Sequence, residues 1–128
     1  MPTTTLLYAG LLGLIALALA LTAGKTRAAQ KVSVGDGGNA EVNLAMRRHA
    51  NFVEWVPMIL IIVALLELNG IADKYIHAFG IILVVTRIAH AIGLKNNVPA
   101  GPLRIIGALG SVLTLAVASI WAIVHYFS

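Results

Sequence analysis

The sequence predicts an all-α integral membrane protein, an antiparallel four-helix transmembrane bundle, and three observations lead there. The apolar residues gather into four runs near 20 residues long, enough for a helix to cross the hydrocarbon of a bilayer. Hydrophobic residues make up 59% of the 128 and charged residues 11%, against roughly 25% charged in a soluble domain. The later runs are joined by short connections, which make successive helices antiparallel neighbours. The absence of cysteine excludes structural disulfides, thiolate-ligated metals and a cysteine nucleophile. Nine basic residues against five acidic ones give a net charge of +4, but no basic tract is long enough for nucleic acid.

The first span is expected over residues 3–23, ending at Gly24-Lys25-Thr26-Arg27. A cleaved signal peptide fits it poorly, because no basic residue precedes the apolar stretch and Lys25, Arg27 and Lys31 follow it. Residues 24–46 read as a long polar loop around Gly35-Asp36-Gly37-Gly38-Asn39, where glycine and Asp-Gly favour turns. A helix resumes near Asn39 or Ala40, with Asn39 as N-cap and Glu41 in the first turn. It leads into a second span over 50–68 that contains Pro57. Glu67, Asn69, Gly70 and Asp73 mark the next turn. A third span is expected over 74–94 and a fourth over 103–127, separated by the compact turn 95–102 with Pro99 and Pro102. The chain is thus one membrane domain, 1–128.

With both termini outside, the 24–46 loop and the 95–102 turn are cytoplasmic, together with Lys25, Arg27, Lys31, Arg47, Arg48, Lys95 and Arg104. Those are seven of the nine basic residues, in keeping with the positive-inside rule. At the opposite end Tyr75, Tyr126 and Phe127 fit an interfacial aromatic belt. Gly10, Gly13, Gly80, Gly107 and Gly110 read as close-packing positions.

Polar side chains converge at the cytoplasmic level: Arg47, Asn51 and Glu54 on span two, Arg87 and His90 on span three, Arg104 at the start of span four. Spacings of three and four place each set on one helix side. Arginine in hydrocarbon requires a counter-charge or a route to water, so Glu54 is expected to pair with Arg87. The surplus arginines suit a carboxylate, which a guanidinium grips through two parallel hydrogen bonds. Arg48 points another way and suits a lipid phosphate. The same charges admit a structural use, holding helices together and touching headgroups. His49, His77, His90 and His125 have no metal-ligand spacing, so no metal site is expected.

Arg47, Asn51 and Glu54 resemble the signature of the MAPEG family, the membrane-associated proteins in eicosanoid and glutathione metabolism, and the chain is similar to its small bacterial members over essentially its whole length. Arg87 and His90 resemble the helix-three pair of prostaglandin E synthase-like members, and Arg104 resembles the arginine near the start of helix four. The resemblance implies a homotrimer with sites between subunits, in which Arg47, Asn51, Glu54, Arg87 and His90 hold glutathione as thiol cosubstrate. Arg104 would stabilise the thiolate while a lipophilic electrophile or lipid hydroperoxide approaches from the membrane lipids. The missing cysteine agrees with a nucleophile that arrives with the ligand.

Three positions depart from the family pattern. Leu94 stands where eicosanoid enzymes often carry tyrosine, Ala50 where a further arginine is found, and Ile105 where a hydroxyl follows the helix-four arginine. Eicosanoid specificity is therefore not expected. A noncatalytic scaffold that binds anionic lipid or fatty acid uses the same charges; a small transporter finds no inverted repeat or continuous polar path to support it.

Overall fold

The computed structural model describes residues 1–128 as four helices without a strand: α1 (Thr3–Ala29), α2 (Ala40–Leu68), α3 (Asp73–Gly93) and α4 (Pro102–Tyr126). Each is long and apolar enough to cross a membrane. The 27 residues of α1 extend about 40 Å at 1.5 Å per residue, longer than the roughly 30 Å of hydrocarbon. The 29 residues of α2 exceed it further, so polar turns of both helices stand clear of the apolar layer.

Much of the segment expected as a loop over 24–46 is therefore helical, and only residues 30–39 lie between the helices. Local chemistry explains both ends. The α1 helix continues until Lys31 takes a positive φ of 56°, and α2 begins where Asn39 Oδ1 accepts from the Glu41 and Val42 amides at 2.9 and 3.1 Å. Asp36 orders the connection, accepting from the Gly38 amide at 2.9 Å and from the Asn43 side chain at 2.7 Å. Those two bonds, the backbone one first, hold its carboxyl below its ordinary pKa of 3.8.

Bundle packing follows from the spacing of the buried residues. On α2 these are Phe52, Val56, Ile59, Val63 and Leu66; on α4, Gly107, Ser111, Thr114 and Ala118. Alternating steps of three and four make a seam that stays facing a neighbour when helices cross at a shallow left-handed angle. Phe52 through Leu66 meet Tyr8, Leu12, Ile76, Phe79, Leu83 and Ala118 in the core. Leucines 6, 7, 11, 14, 17 and 21 of α1 stay exposed, as a lipid solvent permits.

The α1 helix docks through its first turns. No side chain of its own caps it; instead Glu67 of α2 accepts from the Thr4 and Thr5 amides at 2.7 and 2.8 Å and from Thr5 Oγ1 at 2.6 Å. A carboxylate there satisfies orphan donors and meets the positive end of the helix dipole. One turn on, Tyr8 packs its ring against Gly80 and shares a 2.8 Å hydrogen bond with His77 Nδ1. At the same end Trp121 stacks edge-on with Tyr75, centroids 5.0 Å apart. Of the glycines expected at packed positions, Gly80, Gly107 and Gly110 abut side chains or backbone, whereas Gly10 and Gly13 face open space within the chain.

Candidate functional site

At the other end of the bundle lies a cleft of about 270 Å³, lined by α2, α3, α4 and the turn after α3. Arg47 and Asn51 of α2, His90 of α3 and Arg104 of α4 all contribute to its wall. Two glycines set this geometry. Gly107 lies against His90, and Gly93 lies against the backbone of Leu103 and Arg104, so a Cβ at either would push a cleft residue away.

Arg87 lies beneath, 2% exposed. Its Nη1 donates to Asn51 Oδ1 at 2.9 Å, its Nη2 donates to the Gly107 carbonyl, and its Nε makes no hydrogen bond. One guanidinium therefore ties α3 to both α2 and α4 and fixes the Asn51 amide in the cleft wall. The Gly107 carbonyl also accepts from Ser111 Oγ at 3.3 Å.

The expected Glu54–Arg87 ion pair does not form. Glu54 is 53% exposed and meets Arg47 Nη1 at 3.8 Å, with Arg47 itself 57% exposed. Helix geometry accounts for it: Glu54 sits two residues from both Phe52 and Val56, which are buried, and two residues turn an α-helix by about 200°. The carboxylate thus leaves on the far side from the core, while Asn51, one position before Phe52, reaches the edge where Arg87 arrives. An exposed pair of this kind is worth about 0–1 kcal/mol in water.

Arg48 also differs from expectation. Its Nε and Nη2 donate to the Leu94 carbonyl at 3.2 and 2.7 Å, clamping α2 to the end of α3. Four cleft residues besides Leu94 escaped sequence reasoning: Asn43, Leu44, Lys95 and Asn96. Asn43 was detectable, since 43, 47 and 51 share a helix side at steps of four. The others depend on how the 94–97 turn folds back.

None of the nine lining residues is acidic, and three are basic: Arg47, Lys95 and Arg104. Three asparagines add amide donors and acceptors. The chemistry of such a surface is complementary to a small anion with polar groups.

Family comparison agrees with this architecture: the model of the MAPEG family matches residues 5–124. The chain belongs to the MAPEG family. Among its relatives, inner membrane protein YecN of Escherichia coli (strain K12) is 32% identical over 91 residues, covering 71% of this chain and 70% of the relative. The YecN protein of E. coli O6:H1 matches to the same extent, 32% over 91 residues. As a MAPEG protein the chain is an integral membrane bundle, and the family's association with glutathione chemistry frames what the cleft could bind.

Proposed function

We propose that the protein is a glutathione-dependent transferase or peroxidase acting on a lipophilic electrophile or lipid hydroperoxide at the cytoplasmic interface of a bacterial inner membrane. The observation that carries the proposal is the acid-free cleft, in which Arg47, Asn51, His90 and Arg104 converge above the buried Arg87 in a chain without cysteine. Both termini lie outside in this reading, so the cleft opens toward the cytoplasm, as the basic residues near it favour. A homotrimer completes the site: Glu54 and Arg47 stand half-exposed on α2 among exposed Val53, Met58 and Ile61, a surface that a second subunit would cover better than lipid.

Glutathione supplies the thiol. In conjugation its thiolate bonds to the electrophilic carbon as the bond to the leaving group, or the π or epoxide bond, breaks and the departing or newly anionic atom takes up the proton. In the alternative reaction two molecules reduce a hydroperoxide to alcohol and water with formation of their disulfide. Arg47 holds a carboxylate, and the Asn51 amide, fixed by Arg87, orients the peptide. Arg104 makes no hydrogen bond or ion pair within the chain, which leaves its guanidinium available to favour the thiolate. His90 lies beside Arg104 in the same wall as a further hydrogen-bonding group. The cleft collects a water-soluble thiol while the apolar partner concentrates in the bilayer, so binding brings the two together.

Purified protein in lipid nanodiscs, assayed with glutathione and a panel of lipophilic electrophiles and hydroperoxides, tests this. Arg104→Ala is expected to lower turnover about 100-fold, the scale of losing one charge-stabilising group. Parent turnover no higher than that of Arg104→Ala in every lipid would refute catalysis. Calorimetric binding of anionic lipid headgroups without glutathione would instead favour a noncatalytic lipid-binding scaffold.

A further inference from the structure

The turn after α3 brings one cation to the cleft that neither the spacing of the helical residues nor the family signature marks. Leu94, Lys95 and Asn96 all line the cleft. Two independent clips hold this turn against α2. Arg48 donates twice to the Leu94 carbonyl, at 3.2 and 2.7 Å, and Asn96 Nδ2 donates to the Ala40 carbonyl at 2.8 Å. The Leu94 amide still closes onto the His90 carbonyl at 2.9 Å, and Asn97 reverses the chain with a φ of 55°. Lys95 thus sits between two anchored residues, with its ammonium in no hydrogen bond or ion pair. Arg47 is shared with Glu54 at 3.8 Å. Lys95 and Arg104, on the turn and on α4, are the cleft cations with no partner at all.

We propose that Lys95 is a ligand-binding residue that receives a second carboxylate, making the cleft selective for dicarboxylates over monocarboxylates, and that Arg48 is the positioning residue that holds Lys95 there. A carboxylate accepts strong hydrogen bonds from an ammonium, and the three asparagines in the wall suit the amides of a connecting peptide. The ligand's first carboxylate goes to Arg47, in keeping with the glutathione reading on which the ligand's identity rests; the two-carboxylate chemistry itself stands on the cleft alone. Arg48 never touches the ligand, and acts by setting where the Leu94–Asn96 backbone lies.

The full-length protein in nanodiscs is titrated by calorimetry with glutathione and with its monoethyl ester, in which the glycyl carboxylate is capped. Lys95→Gln is expected to weaken glutathione about five- to tenfold, the range of one partly exposed charge pair, while leaving ester affinity at the parent's value. Lys95→Arg retains the discrimination. Arg48→Gln loses it as Lys95→Gln does, without lowering ester affinity, and Arg48→Lys restores part of it. Equal loss for acid and ester, or no loss for either in Lys95→Gln, overturns the assignment. If the parent binds no glutathione, the function proposed above fails, and Lys95 is judged by footprinting. Glutarate, but not butyrate, is then expected to protect its amine from acetylation relative to Lys25 and Lys31, and absence of that protection overturns the proposal.

Discussion

Replacing Asn51 by aspartate should move stability and anion binding in opposite directions. Arg87 is 2% exposed, and its only side-chain partner is Asn51 Oδ1 at 2.9 Å; Nε has none. Exchanging that amide oxygen for a carboxylate oxygen turns a hydrogen bond charged on one side only into a full ion pair, a net gain of about 1–2 kcal/mol once desolvation of the carboxylate offsets part of the Coulomb attraction. The same side chain belongs to the cleft wall. A negative charge about 5 Å from a bound carboxylate, at an effective dielectric constant near 20, repels it by about 3 kcal/mol. Arg87 offsets part of this, leaving about 30- to 150-fold weaker binding. Asn51→Ala is the control: it strips the acceptor from a buried guanidinium and should destabilise by about 2 kcal/mol. Thermal unfolding in nanodiscs gives the stability order, aspartate above asparagine above alanine, and calorimetry with glutathione gives the affinities. An Asn51→Asp protein that melts no higher than Asn51→Ala would refute the role of position 51 in holding Arg87. One that binds glutathione within about threefold of the parent would remove the cleft as the anion's site.

Two further outcomes are expected away from the cleft. Glu67→Ala should destabilise by about 1–3 kcal/mol and speed hydrogen exchange at the Thr4 and Thr5 amides, because three hydrogen bonds and a favourable dipole contact are lost together; unchanged exchange would show that α1 is held otherwise. Because the folded pKa of Asp36 is depressed, its contribution to the order of residues 30–39 is complete above the unfolded value near 3.8 and lost as pH falls through the lower folded one. Exchange at the Gly38 amide and the NMR titration of the Asp36 carboxyl should therefore change together below that pH, and a carboxyl titrating at its ordinary value would contradict the loop geometry.

The bundle was legible because a bilayer makes demands that composition alone reveals: long apolar runs, polar connections and charge gathered at one end. The Asn39 cap could be read as well, since an N-cap needs only its own side chain and the next amides. Interhelical partners were harder. Heptad spacing shows which side of α2 is buried, but deciding that Asn51, rather than Glu54, meets Arg87 requires the azimuth of each residue relative to Phe52 and Val56. Arg48, Lys95 and Asn96 were harder still, because what they touch is backbone or open cleft, and a carbonyl such as that of Leu94 has no side-chain identity to read. Glu67 looked like a turn residue for the same reason: its partners are the amides of Thr4 and Thr5, more than sixty residues away.

The buried arginine also bears on how the chain is assembled in the membrane. An arginine in an isolated inserted helix is disfavoured, by roughly 2.5–3.5 kcal/mol at the centre on translocon-based scales and by less toward an end, where Arg87 lies. Of its two acceptors, Asn51 belongs to a helix synthesised before α3, while the Gly107 carbonyl belongs to one synthesised after it. When α3 leaves the translocon, α2 can already offer a polar docking point, and the arrival of α4 completes the guanidinium's coordination. Order of synthesis and order of satisfaction coincide, so that the least membrane-compatible side chain in the protein has a partner waiting at each stage.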